Sequence, residues 1–532
     1  MRRHSWCEPG LRCFRRPAHK LQGRPGLRRA PPPHSPGCRA GSPPPALPLP
    51  PPQIRDSLRE SLLVKLGQLQ CHFTWGPQMD DSDLDDVKQR LQDSIIIGGK
   101  HQGVPHNHLA YINYLQGNCE EALRDLEEAE RRLREIHGDG FERRSIVTHC
   151  NRAWLHYHLG QLNEAQSYLD TLEVICGPLT QGPHVMAMVP QVWGEKGWSL
   201  LSSHSQCYEE AKECFTRALE EDPDNTEWNM SYATALYRLE LFSGILKNPE
   251  VSQSVRQLRR VLELDPGESV ARVMLALRLQ EFQQKAEANE LVDEALRTSP
   301  DSPFMLHYAA KFYRIQHDAD KAIELLKKAL EFTPRSSFLH HQIGICYREK
   351  LMALRKNQGI GGPGVEAELI GHCKHHFGTA FELKPSFILA QLDFAGICLM
   401  NGESDRAVKI YNDLRSLEDV TPDNKQAIEL QLGLYELYHT NSESNAIHHF
   451  MEGLKIQRGT KQWKICYTKL EQIARRQINR NPDNSRAWGI LGFLHREAGE
   501  NSEAVECYEK ALRWDRGNEE YLSALRELRP ST

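Results

Sequence analysis

Small residues recur at fixed intervals near the C-terminus of this chain. Gly492, Ala504 and Ala511 occupy positions 8, 20 and 27 of a unit of about 34 residues, and bulky residues occupy positions 4 (Trp488) and 24 (Tyr508). Small side chains let two helices approach closely, and bulky ones fill the remaining gaps. This spacing is typical of the tetratricopeptide repeat, which is a helix–turn–helix unit.

The same spacing recurs along most of the chain. Further units are marked by Ala110, Ala153, Ala211, Ala276, Ala310, Gly344, Ala395 and Ala446. Such repeats pack mainly on their neighbours, so that an array of them curves around a groove. The sequence therefore predicts an all-α tetratricopeptide-repeat superhelix with a central groove or tunnel.

The N-terminal segment has a different composition. Residues 1–52 contain 14 of the chain's 30 prolines, and residues 1–50 carry ten Lys or Arg against one acid, Glu8. Such a segment has little apolar surface to bury. We predict that residues 1–53 are a disordered Pro/Arg-rich extension. An organelle transit peptide is the alternative, because these are also Arg-rich and poor in acids.

Breaks in the repeat pattern predict three tetratricopeptide subdomains. They are an N-terminal one at 54–190, a central one at 191–385 and a C-terminal one at 386–532. The first boundary follows the proline-containing stretch 177–190. Five glycines and prolines cluster between residues 359 and 364, which predicts a flexible insertion at 351–368 within the central subdomain.

Composition excludes several classes of protein. No apolar run approaches the ~20 residues that a membrane-spanning helix needs. The net charge of −5 argues against a sequence-blind DNA coat. The fourteen cysteines form no C-x-x-C pair, which favours free or buried thiols in a reducing compartment.

The motifs of common enzymes are absent from the sequence. The glycines at 359–364 are not followed by Lys-Ser/Thr, and neither G-x-S-x-G nor H-E-x-x-H occurs. His372, Cys373 and His376 suggest a metal site, but Cys373 falls at repeat position 20, where side chains pack between helices. We predict no catalytic residue, no metal and no cofactor.

Repeat positions 2, 5, 9 and 12 line the concave face of such an array. In two consecutive units these positions give His307, Lys311 and Arg314, and then Phe338 and His341. A partly cationic stripe with an aromatic side chain suits an anionic ligand, such as nucleic acid, phosphate or an acidic peptide. A solvated helix face is the alternative.

Longer strings of residues resemble one known family. They are Cys71-His72-Phe73-Thr74-Trp75, Glu195-Lys196-Gly197-Trp198, Tyr237-Arg238-Leu239, Tyr308-Ala309-Ala310-Lys311-Phe312-Tyr313-Arg314, Leu325-Leu326-Lys327-Lys328-Ala329-Leu330 and Leu339-His340-His341-Gln342. From about Ile54 to the C-terminus, the chain resembles the interferon-induced proteins with tetratricopeptide repeats, and most closely their RNA-binding members.

The resemblance implies an interferon-induced, antiviral and cytoplasmic protein without enzymatic activity. RNA-binding members hold the 5′ end of single-stranded viral RNA, as a triphosphate or an incompletely methylated cap, in a basic tunnel. They thereby sequester the RNA or block its translation. Other members act as scaffolds that bind family siblings, initiation factors or signalling adaptors. The implied partners are therefore RNA 5′ ends, further copies of this chain or of its siblings, and a translation initiation factor.

The family's RNA-contacting positions match particular residues here. Trp198 matches the residue that stacks on a cap base, Glu227 a carboxylate beside that base, and Arg90 and Arg238 residues that contact the 5′ phosphates. The resemblance implies that the full set of RNA-binding residues is Arg90, Trp198, Tyr208, Glu227, Arg238, His307, Tyr308, Lys311, Arg314, His341 and Gln342.

Four positions depart from the RNA-binding pattern. Ser202 replaces a phosphate-contacting lysine, His307 an arginine, Phe304 a tyrosine and Ser94 a glutamine. A hydrogen bond to a charged group contributes roughly 1.5–3 kcal/mol. Losing two cationic contacts would therefore weaken triphosphate binding by about two to four powers of ten. The alternative function is thus a scaffold that acts through protein partners and does not bind RNA.

Overall fold

The computed structural model describes residues 52–75, 81–97, 103–177, 189–203, 207–243, 248–356, 362–417 and 420–529. Every regular element in these ranges is a helix. None of these helices is long and apolar enough to span a membrane. The chain divides into two compact units, and the division falls between Glu349 and Lys350.

The first unit contains sixteen complete helices and most of a seventeenth. They are α1 (Pro52–Leu66), α2 (His72–Trp75), α3 (Asp81–Ile97), α4 (Val104–Leu115), α5 (Cys119–His137), α6 (Phe141–Arg144), α7 (Ile146–His158), α8 (Leu162–Cys176), α9 (Pro190–Ser202), α10 (Tyr208–Glu221), α11 (Thr226–Ser243), α12 (Gln253–Leu264), α13 (Ser269–Glu281), α14 (Lys285–Thr298), α15 (Pro303–Ile315), α16 (Ala319–Phe332) and α17 (Ser337–Lys356). Short 3-10 helices lie at Gly138–Gly140 and Pro249–Val251.

The second unit begins within the last two turns of α17. Its other helices are α18 (Gly362–Leu383), α19 (Ile388–Met400), α20 (Ser404–Arg415), α21 (Pro422–Tyr438), α22 (Glu443–Ile456), α23 (Lys461–Arg480), α24 (Ser485–Ala498), α25 (Asn501–Trp514) and α26 (Glu519–Leu528).

Helix pairs pack through the small residues that the repeat pattern identified. Ala504 and Ala511 are fully buried in α25. A Cβ atom at Gly492 of α24 would lie 2.8 Å from the Tyr508 ring, so only glycine allows this approach. Burying a ring of this size contributes about 1.5–3 kcal/mol. The prediction of an all-α tetratricopeptide-repeat fold is confirmed.

Short polar residues begin many of these helices. The Ser302 side chain accepts a hydrogen bond from the backbone N–H of Met305 at the start of α15. The Asn484 side chain does the same for Ala487 in α24. Gly499 ends α24 in the left-handed conformation, with φ of 76°. Local sequence therefore sets the helix boundaries, and packing sets the helix pairs.

Two predictions of domain organisation differ from the observed helices or lie outside them. Most of the predicted extension, and its transit-peptide alternative, fall on residues 1–51, which are outside the described residues; α1 begins at Pro52. Most of the segment 351–368, predicted as a flexible insertion, is helical, because α17 continues to Lys356 and α18 begins at Gly362. Residues 357–361 are not described. The division into three subdomains stays a prediction.

Candidate nucleic-acid interface

The predicted site residues lie in the first unit, and most of them lie on helices that follow one another in space. Helix α9 contacts α11, α11 contacts α13, and α13 contacts α15. These are the first helices of consecutive repeats, so their side chains form one continuous surface. Trp198 is on α9, Arg238 on α11, and Tyr308 and Lys311 on α15.

Arg238 is fixed among two tyrosines and the end of α9. Its Nη1 donates to the carbonyl oxygen of Leu201 at 2.7 Å and to the hydroxyl of Tyr208 at 3.4 Å. Its guanidinium carbon lies 5.2 Å from the centre of the Tyr208 ring. Burial opposes the charge of this arginine, but interactions with the Tyr208 and Tyr308 hydroxyls outweigh burial and raise its pKa. A permanent positive charge is therefore held in a defined position.

Arg90 reaches the same end of α9 from α3, a helix that is far from α9 in the sequence. It is an exposed residue of α3, and its Nη2 donates to the carbonyl oxygen of Ser203 at 3.1 Å. The last carbonyls of a helix have no partner within the helix and accept such bonds readily. Ser202, the site of the missing lysine, lies between the carbonyls that Arg238 and Arg90 hold. The structure thus brings Arg90, Arg238 and Tyr208 together around residues 201–203.

A recess beside this cluster contains Trp198 and Glu227. Gly194, Arg144 and Trp228 also line it, and its free volume of about 20 Å³ is enough for about one water molecule. A carboxylate oxygen of Glu227 accepts a hydrogen bond from Arg144 at 3.2 Å. Trp198 is half-buried. A base could therefore enter this recess only if lining side chains moved.

Sequence reasoning missed two further residues of this recess, Glu195 and Arg144. The Glu195 carboxyl is buried and accepts a hydrogen bond from the Asn107 amide at 2.8 Å. Burial raises the pKa of Glu195 to about 8, so this group is mostly protonated at neutral pH. Its position in the string before Trp198 gave no indication that it would line a recess. The other carboxyl group of the recess, that of Glu227, forms an ion pair with Arg144.

The residues predicted to hold the first nucleotides have unequal exposure. Tyr308 and Lys311 are half-buried, and the Lys311 ammonium lies 5.8 Å from the Tyr237 ring centre. The His307 ring contacts both Tyr308 and Phe338, with the Phe338 ring centre 4.8 Å away. These side chains form a partly accessible patch with one cation and several rings.

Arg314 and His341 lie deeper, and Gln342 is half-buried. The Arg314 side chain is 4% exposed, and its Nη1 lies 3.1 Å from a Glu349 carboxylate oxygen of α17. His341 is also buried. The charge of Arg314 is thus largely compensated within the protein, so it contributes less to a cationic stripe than its repeat position suggested.

A buried ion-pair cluster lies on the same run of helices. Arg278 of α13 is almost fully buried, and its Nη2 donates to the Glu240 carboxylate of α11 at 3.0 Å. It also pairs with Glu281. Two carboxylates compensate this arginine, so it ties α11 to α13 without adding positive charge to the surface.

The described residues contain no group of three or more metal-ligating side chains. Cys373 is buried, as its repeat position indicated. The cysteines in the described ranges are free thiols, and burial raises the pKa of several, including Cys71 and Cys150.

Sequence comparisons detect the repeat and relatives that span nearly the whole fold. Family models described as "Tetratricopeptide repeat" match residues 107–142, 197–244 and 485–518. The chain is 37% identical to human "Antiviral innate immune response effector IFIT1" over 87% of this chain and 96% of that protein. It is 35% identical to human "Interferon-induced protein with tetratricopeptide repeats 2" over 86% of this chain and 97% of that protein.

Structure comparison gives the same result. The fold is similar to that of the human IFIT1 dimer with m7Gppp-AAAA, with a TM-score of 0.74 and 36% identity over 85% of this chain and 99% of that chain. It is also similar to the human IFIT1 dimer with PPP-AAAA, with a TM-score of 0.72 and 35% identity over the same shares. The resemblance identified from short strings therefore extends over most of the chain. The chain belongs to the family of interferon-induced proteins with tetratricopeptide repeats.

Proposed function

We propose that this protein binds the 5′ end of single-stranded viral RNA, as a triphosphate or an incompletely methylated cap, in a basic tunnel within its first unit. The observation that carries the proposal is the convergence of Arg90 and Arg238 on the C-terminal end of α9. One similar protein, human IFIT1, was solved as a dimer in two structures, one with m7Gppp-AAAA and one with PPP-AAAA. By this binding the protein sequesters the RNA or blocks its translation in the antiviral response.

The phosphate-binding part consists of Arg90, Arg238 and Tyr208. Both arginines now donate to neutral carbonyl oxygens, and phosphate oxygens form stronger, charge-assisted bonds with guanidinium groups. Arg238 is already held in place by Tyr208, so little side-chain entropy is lost when a phosphate binds. When a phosphate binds, both arginines would exchange their hydrogen bonds to these carbonyls for hydrogen bonds to phosphate oxygens.

The base-binding part consists of Trp198, Glu227 and the recess beside them. An indole ring stacks on a base without reading its sequence. Because the recess has room for about one water molecule, a cap base enters it only if side chains such as Trp198 move. A 5′-triphosphate has no such base, so its binding leaves the recess closed.

The following nucleotides lie against the α15 and α17 side chains. Tyr308 and His307 offer rings for stacking, and Lys311 offers a cation for the backbone. Gln342 supplies polar atoms at the same patch. Arg314 is almost fully buried and pairs with Glu349 of α17, and His341 is also buried, so these two residues offer the strand little surface.

The proposal includes the protein's cellular context. The protein is induced by interferon, acts in the cytoplasm, is not an enzyme and needs no cofactor. It assembles with further copies of itself or with family siblings, and one similar protein was solved as a dimer. A translation initiation factor is a further expected partner.

The test is equilibrium binding of one short single-stranded RNA that carries a triphosphate, a cap or a hydroxyl at its 5′ end. Binding is measured at near-physiological salt, where non-specific contacts are weak. We expect triphosphate or capped RNA to bind more tightly than hydroxyl RNA. Equal affinity for all three strands would show that the loss of cations at Ser202 and His307 has abolished end recognition. That result would favour the alternative function, a scaffold that acts through protein partners and does not bind RNA.

A further inference from the structure

The second unit has a cavity that the proposed function does not use. It lies between the turn that joins α21 to α22 and the helix α23, is open to solvent, and has a volume of about 390 Å³. We name it the α23 recess. The side chains that bear on its chemistry are Leu437, Tyr438, Lys469, Ile473, Arg476 and Arg480.

The α23 recess is strongly basic. Helix α23 carries six Lys or Arg residues and one acid, Glu471. Lys469, Arg476 and Arg480 are spaced seven and four residues apart, which places them on one face of the helix. Among the residues lining the recess only Glu443 is acidic, and it pairs with Arg476. Three cations against one carboxylate favour an anionic ligand.

Two of these cations are not neutralised by a carboxylate. Lys469 donates to the hydroxyl of Tyr438 at 2.6 Å, which is an uncharged partner. The Arg480 side chain is exposed and forms no ion pair or hydrogen bond with the described part of the chain. Both side chains can therefore meet an incoming phosphate without breaking an ion pair.

The recess also has an aromatic and an apolar surface. Tyr438 is 57% exposed, and the Lys469 ammonium lies 5.1 Å from its ring centre. Leu437 and Ile473 contribute aliphatic surface beside the ring. An acidic peptide would need only the cations, and neither the ring nor the aliphatic surface. A ring, an aliphatic surface and cations within one recess match a base together with its phosphate.

We infer that the α23 recess binds a nucleotide within a single RNA strand, with its base against Tyr438 and neighbouring phosphates on Lys469, Arg476 and Arg480. This contact requires no phosphate or cap at the 5′ end. It therefore goes beyond the proposed function and would hold even if end recognition failed.

The test uses the full chain and a short oligouridine with a 5′-hydroxyl, whose binding is measured across a range of salt concentrations. In the double variant Lys469→Ala/Arg480→Ala, we expect about tenfold weaker binding and a salt slope reduced by about 1.4, which is two contacts at about 0.7 each. The matched control is Lys464→Ala/Arg475→Ala, which removes the same charge from the same helix outside the recess. Equal losses in both doubles, or no loss in the first, would overturn the inference.

A second pair of variants tests the stacking ring. Tyr438→Ala should weaken binding of the same strand by about five- to a hundredfold, whereas Tyr438→Phe should retain most of the affinity. If Tyr438→Ala binds normally and a polyglutamate peptide displaces the RNA, the recess is a site for acidic protein segments and the inference is wrong.

The outcome is separable from that for 5′-end binding. Substitutions in the α23 recess should leave unchanged the difference in affinity between the triphosphate strand and the hydroxyl strand. Arg238→Ala should reduce that difference and leave the binding of the hydroxyl strand unchanged. An α23-recess variant that lost the preference for a 5′-triphosphate over a 5′-hydroxyl would contradict the independence of the two sites.

Discussion

Arg90 and Arg238 donate hydrogen bonds to carbonyl oxygens two residues apart at the C-terminal end of α9, those of Ser203 and Leu201. The two arginines come from α3 and α11, so only the folded first unit brings them together. Their convergence places two guanidinium groups beside Ser202.

Restoring the missing cation should strengthen phosphate binding. Ser202→Lys places an ammonium between the two carbonyls held by Arg90 and Arg238. Because one charged hydrogen bond contributes roughly 1.5–3 kcal/mol, we expect about ten- to hundredfold tighter binding of triphosphate RNA. Titration of triphosphate and hydroxyl strands checks this result. Ser202→Gln is the uncharged control of similar length; an equal gain from Gln would count against a charge effect.

Removing the Trp198 ring should weaken the binding of capped RNA more than the binding of triphosphate RNA. We expect Trp198→Ala to weaken binding of capped RNA by about five- to a hundredfold, because stacking on one base contributes about 1–3 kcal/mol. Trp198→Phe should retain part of this affinity. Competition between capped and triphosphate strands gives the measurement, and an equal loss for both strands would indicate general damage to the recess.

The buried Glu195 carboxyl should make stability depend on pH. Its pKa is about 8 in the folded protein against the ordinary glutamate value of 4.5, so the folded state holds the proton more tightly than the unfolded state. This stabilising contribution is complete below pH 4.5 and is lost as pH rises to about 8. Glu195→Gln, which stays neutral, should lose none of it.

The measurement is urea unfolding of both proteins at pH 5 and pH 9. Between pH 5 and pH 9, we expect the free energy of unfolding of Glu195→Gln to rise relative to that of the native protein by on the order of 4 kcal/mol. Asp56→Asn, on an exposed residue of α1, is the control. A constant difference across this range would show that Glu195 has an ordinary pKa.

The ion pair between Arg314 and Glu349 should stabilise the first unit. Arg314 is buried while Glu349 is partly exposed, so we expect Arg314→Ala to reduce the free energy of unfolding by about 1–3 kcal/mol. A double-mutant cycle with Glu349→Ala isolates the pair. Additive losses would mean that the two groups do not interact, and Arg314 would then be available to RNA.

The sequence predicted the repeat fold because its determinants are local. The spacing of Gly492, Ala504, Tyr508 and Ala511 specifies how one helix pair packs, and that packing repeats along the chain. Helix ends are also encoded locally, since Asn484 and Gly499 cap α24. Gly362, Pro363 and Gly364 lie within the first turn of α18, so glycine and proline content did not indicate where that helix begins.

The site was only partly predictable. Resemblance identified Arg90, Arg238 and Tyr208, but their meeting at α9 depends on packing between distant repeats. Burial of Glu195, which changes its charge, could not be inferred from the string around Trp198. The ion pair of Arg314 likewise depends on Glu349 of the next repeat, and no repeat position encodes it.

The most direct test of the account compares the preference for a 5′-triphosphate over a 5′-hydroxyl in four proteins. They are the native chain, Arg90→Ala, Arg238→Ala and the double variant, with Arg256→Ala on the exposed surface of α12 as the control. We predict that each single substitution reduces the preference, that the double abolishes it, and that the affinity for hydroxyl RNA stays constant. An undiminished preference in Arg238→Ala would contradict the assignment of the phosphate site to the C-terminal end of α9.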